Sequence, residues 1–303
     1  MEALRALRPA LVVADFAPTA LMAARASGIA TVAVGASFGL PPAGLTRFPE
    51  ILTRDQAALL GEFSDSPAPD EDAVCACVND TLGPLGVPPL AHLTEVYAAD
   101  LSMPQGVLAW DPYAASRTGP LVLPFDTLPP LSRGSGKEVF IYFAGDELKE
   151  AAVQDALIGM PFEATLVAPS MSAELAQRLA VNPRLTLAAK PLSREDIVRR
   201  SRVILCAGQA GTLALGVLTG VPVVALPTHH EQLSNAVRAA ELLTGVRLVP
   251  KATRSAEAII DAVRTLWDQP AVSAAARLVA LDLREAYEGS ALDVYRKAIL
   301  PLL

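Results

Sequence analysis

From Glu138 onward the sequence repeats one alternation, short apolar runs of strand type with helical stretches between them, and few folds accept that order. The runs are Val139–Gly145, Ala164–Pro169, Leu185–Ala189, Val203–Gly208, Val221–Pro227 and Val246–Pro250. Helices are predicted over Glu147–Ile158, Ser172–Leu179, Arg194–Arg200, Gly211–Thr219 and Glu231–Leu243. Strands apolar on both faces need cover on both sides, so this order predicts a doubly wound parallel sheet. The most apolar stretch, Thr212–Pro227, is broken by Gly216, Gly220 and Pro222. It therefore reads as helix, turn and strand, not as a bilayer span. Ser193 and Ser255 are expected to cap helices, and helical segments interrupted by Pro270 and Gly289 follow Ser255.

The preceding part is sparser. Strands are predicted at Leu11–Phe16, Thr31–Ser37, Gly106–Trp110 and Leu121–Phe125, with helices over Pro18–Ser27, Thr53–Phe63 and Asp72–Leu85. The Pro-, Ser- and Gly-containing stretch Asp126–Glu138 reads as a domain boundary. Three pieces result: a first lobe over 1–130, a second over 137–285, and a C-terminal helix over 286–303 expected to cross back to the first.

Of the 303 residues 52% are hydrophobic and 19% charged, enough apolar matter for two cores. The net charge of −7 gives the wrong long-range field for holding a nucleic acid. Cys75, Cys77 and Cys206 lack the paired spacing of a zinc site and read as reduced thiols of a cytoplasmic protein. Asp15 interrupts the apolar run after the first arginines, so no export signal is read there.

The chemistry concentrates in "CAGQAGTLALGVLTGVPVVALPTHHEQLSNA", Cys206–Ala236. A strand, a glycine turn and a helix start at Gly208–Thr212 form a cradle for phosphate, because helix-start N–H groups lack partners and carry the positive dipole end. An ordinary tight crossover would use the same glycines. The next strand ends at Pro227, and the following Glu231 and Gln232 offer polar groups suited to vicinal hydroxyls. First-turn helix acidity explains Glu231 equally, and His229 and His230 equally suit an exposed helix cap. Diphosphate plus polyol means a nucleotide sugar.

The same stretch resembles the donor-binding signature of GT-B glycosyltransferases of the UDP-glucuronosyltransferase and macrolide glycosyltransferase family. Gly208, Ala210, Gly211 and Thr212, then Gly220-Val221-Pro222, Pro227, Glu231-Gln232 and Asn235-Ala236 stand at matching places. The segment "RPALVVADFAPTALMAARASGIATVAVG" resembles the middle of that family's N-terminal lobe, with Asp15 where relatives carry an aspartate that orients a catalytic histidine. The resemblance implies a GT-B fold of two Rossmann-like lobes and inverting transfer of a hexose from a nucleotide sugar to a small lipophilic hydroxyl acceptor. It implies no metal and no cofactor beyond the co-substrate. Gly208, Gln209, Ala210, Gly211 and Thr212 would contact diphosphate, His230, Glu231 and Gln232 the sugar, and Lys190 and Pro191 the nucleobase. Loops such as Gly35–Gly44 would line the acceptor side.

Several positions depart from the pattern. The histidines are His92, His229 and His230, and none precedes Asp15. The chain is therefore expected to lack the family's first N-terminal strands, through a late start, a split gene or fragmentation. Ala207 stands where relatives have the phosphate-contacting histidine, and Gln209 where they have a second glycine. A lost charge-assisted contact costs on the order of 1.5–3 kcal/mol, tenfold or more in affinity. No aromatic residue accompanies Pro191 to stack on a base. An inactive remnant, or a regulatory partner of a complete transferase, remains the alternative. Peripheral membrane contact is left open. A nucleotide-sugar epimerase would want more histidines, and the full spacing of a dinucleotide-binding loop is absent.

Overall fold

The computed structural model describes residues 2–61 and 69–303. These fall into two compact units, Met1–Ile51 with Ser64–Thr127 and Tyr287–Leu303, and Leu52–Phe63 with Leu128–Ala286. The first unit contains α1 (Glu2–Leu7), β1 (Leu11–Asp15), α2 (Pro18–Ala26) and β2 (Ala30–Ala36). The chain then forms α3 (Arg54–Ala58) in the second unit before returning to the first as α4 (Glu71–Leu82) and β3 (Leu101–Gln105). The second unit continues with β4 (Glu138–Tyr142), α5 (Ala151–Ile158), β5 (Ala164–Val167), α6 (Ala173–Leu179), β6 (Leu185–Leu187), α7 (Arg194–Arg200), β7 (Ser201–Cys206) and α8 (Ala210–Thr219). After these come β8 (Val223–Ala225), α9 (His230–Leu242), β9 (Val246–Leu248), α10 (Ala256–Trp267) and α11 (Pro270–Arg284), and α12 (Ala291–Ile299) belongs to the first unit.

The second unit holds a six-stranded sheet in the order β6-β5-β4-β7-β8-β9, every pair parallel. All six strands lie within the runs predicted from the sequence except for Glu138 of β4 and Ser201 and Arg202 of β7. One face packs Ile141, Leu166, Val203 and Leu205 against Leu157 of α5 and Ile259 and Val263 of α10, all nearly inaccessible to water. Helix α8 is apolar around most of its circumference, as a helix enclosed by protein must be, and Leu213 and Leu218 are fully buried. Ser193 and Ser255 cap α7 and α10 by accepting from the backbone N–H groups of Asp196 and Ala258, and Pro270 opens α11.

The first unit has a three-stranded parallel sheet, β1-β2-β3, among the described residues. Ala14 and Ala33 of the sheet pack with Leu21 of α2 and with Leu40, and Met22, Cys75, Leu90 and Val96 form a second cluster between α2 and α4. The buried pair Asp111–Arg117 pins the loop after β2, because Arg117 also donates to the carbonyls of Leu40 at 3.0 Å and Ser37 at 3.4 Å. The tail is held to this unit by the Tyr287 hydroxyl donating to Gly106 O at 2.5 Å and by Ala291 N donating to Asp126 O at 2.7 Å.

Three expectations need correction. The third strand is Leu101–Gln105, not Gly106–Trp110, which is a turn whose Trp110 is buried by packing and not by ladder pairing. Leu121–Phe125 contributes only one bridge, Val122 beside Gln105. The helix expected over Thr53–Phe63 is the shorter α3, with residues 62 and 63 outside those described, and the segment belongs to the second unit. Leu52, Leu59 and Leu60 pack there against Leu233 and Val237 of α9 and Leu248 of β9.

Replacing Asp111 by Asn leaves the Arg117 guanidinium buried without a counter-charge, a change that costs about 3–5 kcal/mol. The chain's two tryptophans fall one to each unit, at Trp110 and Trp267. In a Trp267→Phe background, urea unfolding followed by Trp110 fluorescence should show a lower midpoint for Asp111→Asn.

Candidate active site

The chain leaves β4 towards β5 and β6 on one side, and leaves β7 towards β8 and β9 on the other. The direction reverses between β4 and β7, and such a switch point opens a crevice at the carboxyl ends of the strands. The turn 207–209 after β7 and the loop 143–150 after β4 flank it. Helix α8 starts at this point with Gln209 as its cap residue, whose side chain makes no capping hydrogen bond. The first N–H groups of α8 are thus available to a ligand. Gly211 is exposed, and a Cβ added to it would meet nothing within 4 Å. Gln209 Oε1 is buried with no hydrogen-bond partner among the described residues.

The turn sits where it does because Gly208 has no side chain. Its φ is +93°, and a Cβ there would fall 2.9 Å from Gln232 O of α9. Asn235 Nδ2 donates to Gly208 O at 3.3 Å and holds the same contact from the other side. Gln232 is buried and has two internal tasks. Its Oε1 accepts from Thr228 N at 2.8 Å and Thr228 Oγ1 at 2.9 Å, and its Nε2 donates to Glu147 Oε1 at 3.4 Å.

Glu147, 1% exposed, also accepts from Gly145 N at 2.9 Å, so one carboxylate joins the loop after β4 to α9. Beside it the buried Arg254 grips both oxygens of Glu150 at 2.9 and 2.8 Å and donates to Pro227 O at 2.8 Å and Val249 O at 3.2 Å. Burial lowers the Arg254 pKa, and the carboxylates of Glu150 and Glu147 oppose that shift. A cleft of about 480 Å³ remains, lined by Gly145, Asp146, Lys149, Thr228, His229 and Lys251 among others.

The sequence-predicted residues thus separate into groups. Gly208, Gln209, Ala210, Gly211 and Thr212 surround the helix start, and Gln232 stands against it. His229 and His230 are exposed at the start of α9, and Glu231 is half-buried. Lys190 and Pro191 are exposed beyond β6, three strand spacings from β7, about 14 Å. Asp15 belongs to the other unit, exposed at the end of β1. Sequence reasoning missed Glu147, Glu150 and Arg254 as members of this frame. Their signal was weak: two acids just past a strand end, and an arginine just before a serine cap. Among the described residues no group of three or more His, Cys, Asp or Glu side chains could hold a metal ion.

No protein-family model and no curated protein matches the chain. Solved structures do. The glycosyltransferase of kitacinnamycin is 18% identical with a TM-score of 0.66, over 100% of this chain and 78% of that one. The glycosyltransferase VinC, in complex with dTDP, is 17% identical with a TM-score of 0.68, over 99% of this chain and 74% of its own. The spinosyn rhamnosyltransferase SpnG, complexed with thymidine diphosphate, is 19% identical with a TM-score of 0.63, over 98% and 75%. The fold is GT-B. Its two Rossmann-like units are the three-stranded and six-stranded halves described above, and no helix among the described residues is long and apolar enough to cross a membrane.

Burial pushes the Cys206 thiol, at the end of β7, up to about 12, while Cys77 is exposed and Cys75 buried. A thiolate-selective disulfide reagent at pH 8 should therefore label one thiol rapidly in the native protein, and Cys77→Ser should remove that fast phase. Rapid labelling of Cys206 would contradict the enclosed strand end.

Proposed function

We propose that the chain binds a nucleoside-diphosphate sugar in the crevice of the six-stranded unit and transfers its hexose, with inversion, to a hydroxyl of a small lipophilic acceptor. The observation that carries this reading is the uncapped start of α8 at the switch point, faced by open space at Gly211. The acceptor oxygen attacks the anomeric carbon, the bond from that carbon to the diphosphate breaks, and the nucleoside diphosphate leaves. Backbone N–H groups of Ala210, Gly211 and Thr212 stabilise the charge that develops on the leaving oxygen. Gln209, with its unpaired Oε1, and the start of α9 at His230 and Glu231 are assigned to the donor as well. Lys190 and Pro191 are assigned to the nucleobase, at a distance that suits an extended nucleotide. Asp15 is assigned the place of the aspartate that orients the catalytic histidine in the family it resembles. This reading takes no metal ion and no cofactor. The bound dTDP of VinC and thymidine diphosphate of SpnG support a nucleoside diphosphate as the ligand class.

A second reading is binding without turnover. It draws on Ala207, which offers no side-chain donor to phosphate, and on Gln232, whose amide is already satisfied by Thr228 and Glu147.

Titration calorimetry with dTDP and UDP tests the shared step. Saturable heat is expected, and a flat titration with both would sink donor binding. Gly211→Asp puts a like charge where the diphosphate lies, yet its side chain enters open space and an acid suits a first helical turn. Affinity should fall at least tenfold with the melting temperature held. Formation of a glycoside from dTDP-glucose or UDP-glucose then separates transfer from mere binding.

A further inference from the structure

Helix α11 of the six-stranded unit keeps one apolar face uncovered. It turns Ser273, Ala276 and Ala280 inward, where they are buried. Gly245 makes room for that inner face, since a Cβ there would fall 2.9 Å from Cβ of Ala276. The outer face carries Ala271, Ala274, Leu278 and Leu281, all exposed, the two leucines to 69% and 50%. Steps of three, four and three residues set these four side chains in one stripe, at the a and d positions of a heptad. A face that meets only water gains nothing from that spacing, whereas a facing helix packs into it.

The order of sizes along the stripe selects the partner. Small residues, Ala271 and Ala274, come first and large ones, Leu278 and Leu281, come second. A second copy of the helix laid antiparallel sets Leu281 against the partner's Ala271 and Leu278 against the partner's Ala274. Every layer then joins one large and one small side chain, whereas a parallel copy would stack alanine on alanine and leave voids. The charges agree with the sizes. No side chain caps α11 and no acid lies in its first turn. Antiparallel pairing brings Asp282 and Glu285, at the far end, to that uncapped positive end. Asp282 stands on the flank of the stripe that also carries Ala275 and Val272, and Val272 borders a cleft of about 380 Å³ lined by Leu242, Arg247 and Leu266 among others. Asp282, Glu285 and Arg247 form no ion pair among the described residues, so each has its charge to offer. Arg277, on the other flank, lies with its stem over Gly220 of its own copy and leaves the stripe clear.

We propose that α11 is a dimerisation surface: two copies of the chain join through their α11 helices, antiparallel about a two-fold axis. Ala271, Ala274, Leu278 and Leu281 form its layers, and Asp282 is directed towards the partner's Arg247. The contact is isologous, so each residue serves twice and association closes at two copies. Fifteen residues make a helix of about 22 Å, a small interface, and the dimer is of the weak, exchanging kind. The surface is independent of the donor site and of the reading under Proposed function.

Sedimentation equilibrium of the full chain, run up to roughly 200 μM, should show monomer and dimer in exchange. Leu278→Lys takes an apolar group from both halves of the interface and puts a charge in its place, so it should raise the dissociation constant at least tenfold. Residue 278 is exposed, so the melting temperature of the dilute protein should hold. A dimer that Leu278→Lys leaves unchanged lies on another surface and overturns the proposal. A wild-type chain that stays monomeric throughout overturns it too, whether it is inert or instead binds lipid vesicles. Cysteine pairs read the orientation. In a Cys77→Ser background, which removes the exposed native thiol, a mixture of Ala274→Cys and Leu278→Cys proteins should form a disulfide-linked dimer faster than either alone. Equal or faster self-linking of Ala274→Cys would mean a parallel pair and would sink the antiparallel seam.

Discussion

The close approach of the turn after β7 to helix α9 is the contact on which the crevice depends. Gly208 permits it by lacking a side chain, and Asn235 secures it by donating to the Gly208 carbonyl. With the turn seated, α8 begins with its N–H groups directed past the strand ends, where the sheet order reverses. A larger residue at 208 would drive the turn away from Gln232 and carry the start of α8 with it. The glycine turn therefore has a packing reason of its own, and the same packing fixes where α8 begins.

The polar groups around this contact divide into the satisfied and the available. Glu147 spans from Gly145 to Gln232, and Arg254 spans from Glu150 to the carbonyls of Pro227 and Val249. Buried charge is tolerated there because each group is partnered, and the partners come from three different loops. The result is a rigid frame at the carboxyl edge. What the frame leaves open is the first turn of α8 and the exposed start of α9, both with positive dipole ends facing outward. In a chain of net charge −7, those backbone dipoles are the local exception that an anionic ligand needs.

The second unit was legible in advance because its strands are buried on both faces, so sequence and burial carry the same signal. The "LTLAA" and "VPVVALP" runs each contain the strand found, and α8 and α9 start one residue before the predicted positions. The first unit was less legible. Its third strand, "LSMPQ", carries Ser, Pro and Gln and looks like a loop, while the apolar "GVLAW" beside it is a turn packed into the core. Apolar character reports burial, and burial comes from packing as readily as from pairing. The bonds from Arg117 to the carbonyls of Ser37 and Leu40, and the Gln105–Tyr295 bond across 190 residues, leave no local pattern at all.

The sequence by itself determined the parallel second sheet and the turn at Gly208 between a strand and a helix, because these follow from local periodicity and from glycine's conformational freedom. Only the tertiary structure decided that Gln232 is engaged by Thr228 and Glu147, that Arg254 ties three loops together, and that Tyr295 of α12 is held by Gln105 of β3. Those outcomes depend on which distant segments come together, and side-chain partners across a fold are fixed by packing of whole elements, not by any run of neighbouring residues.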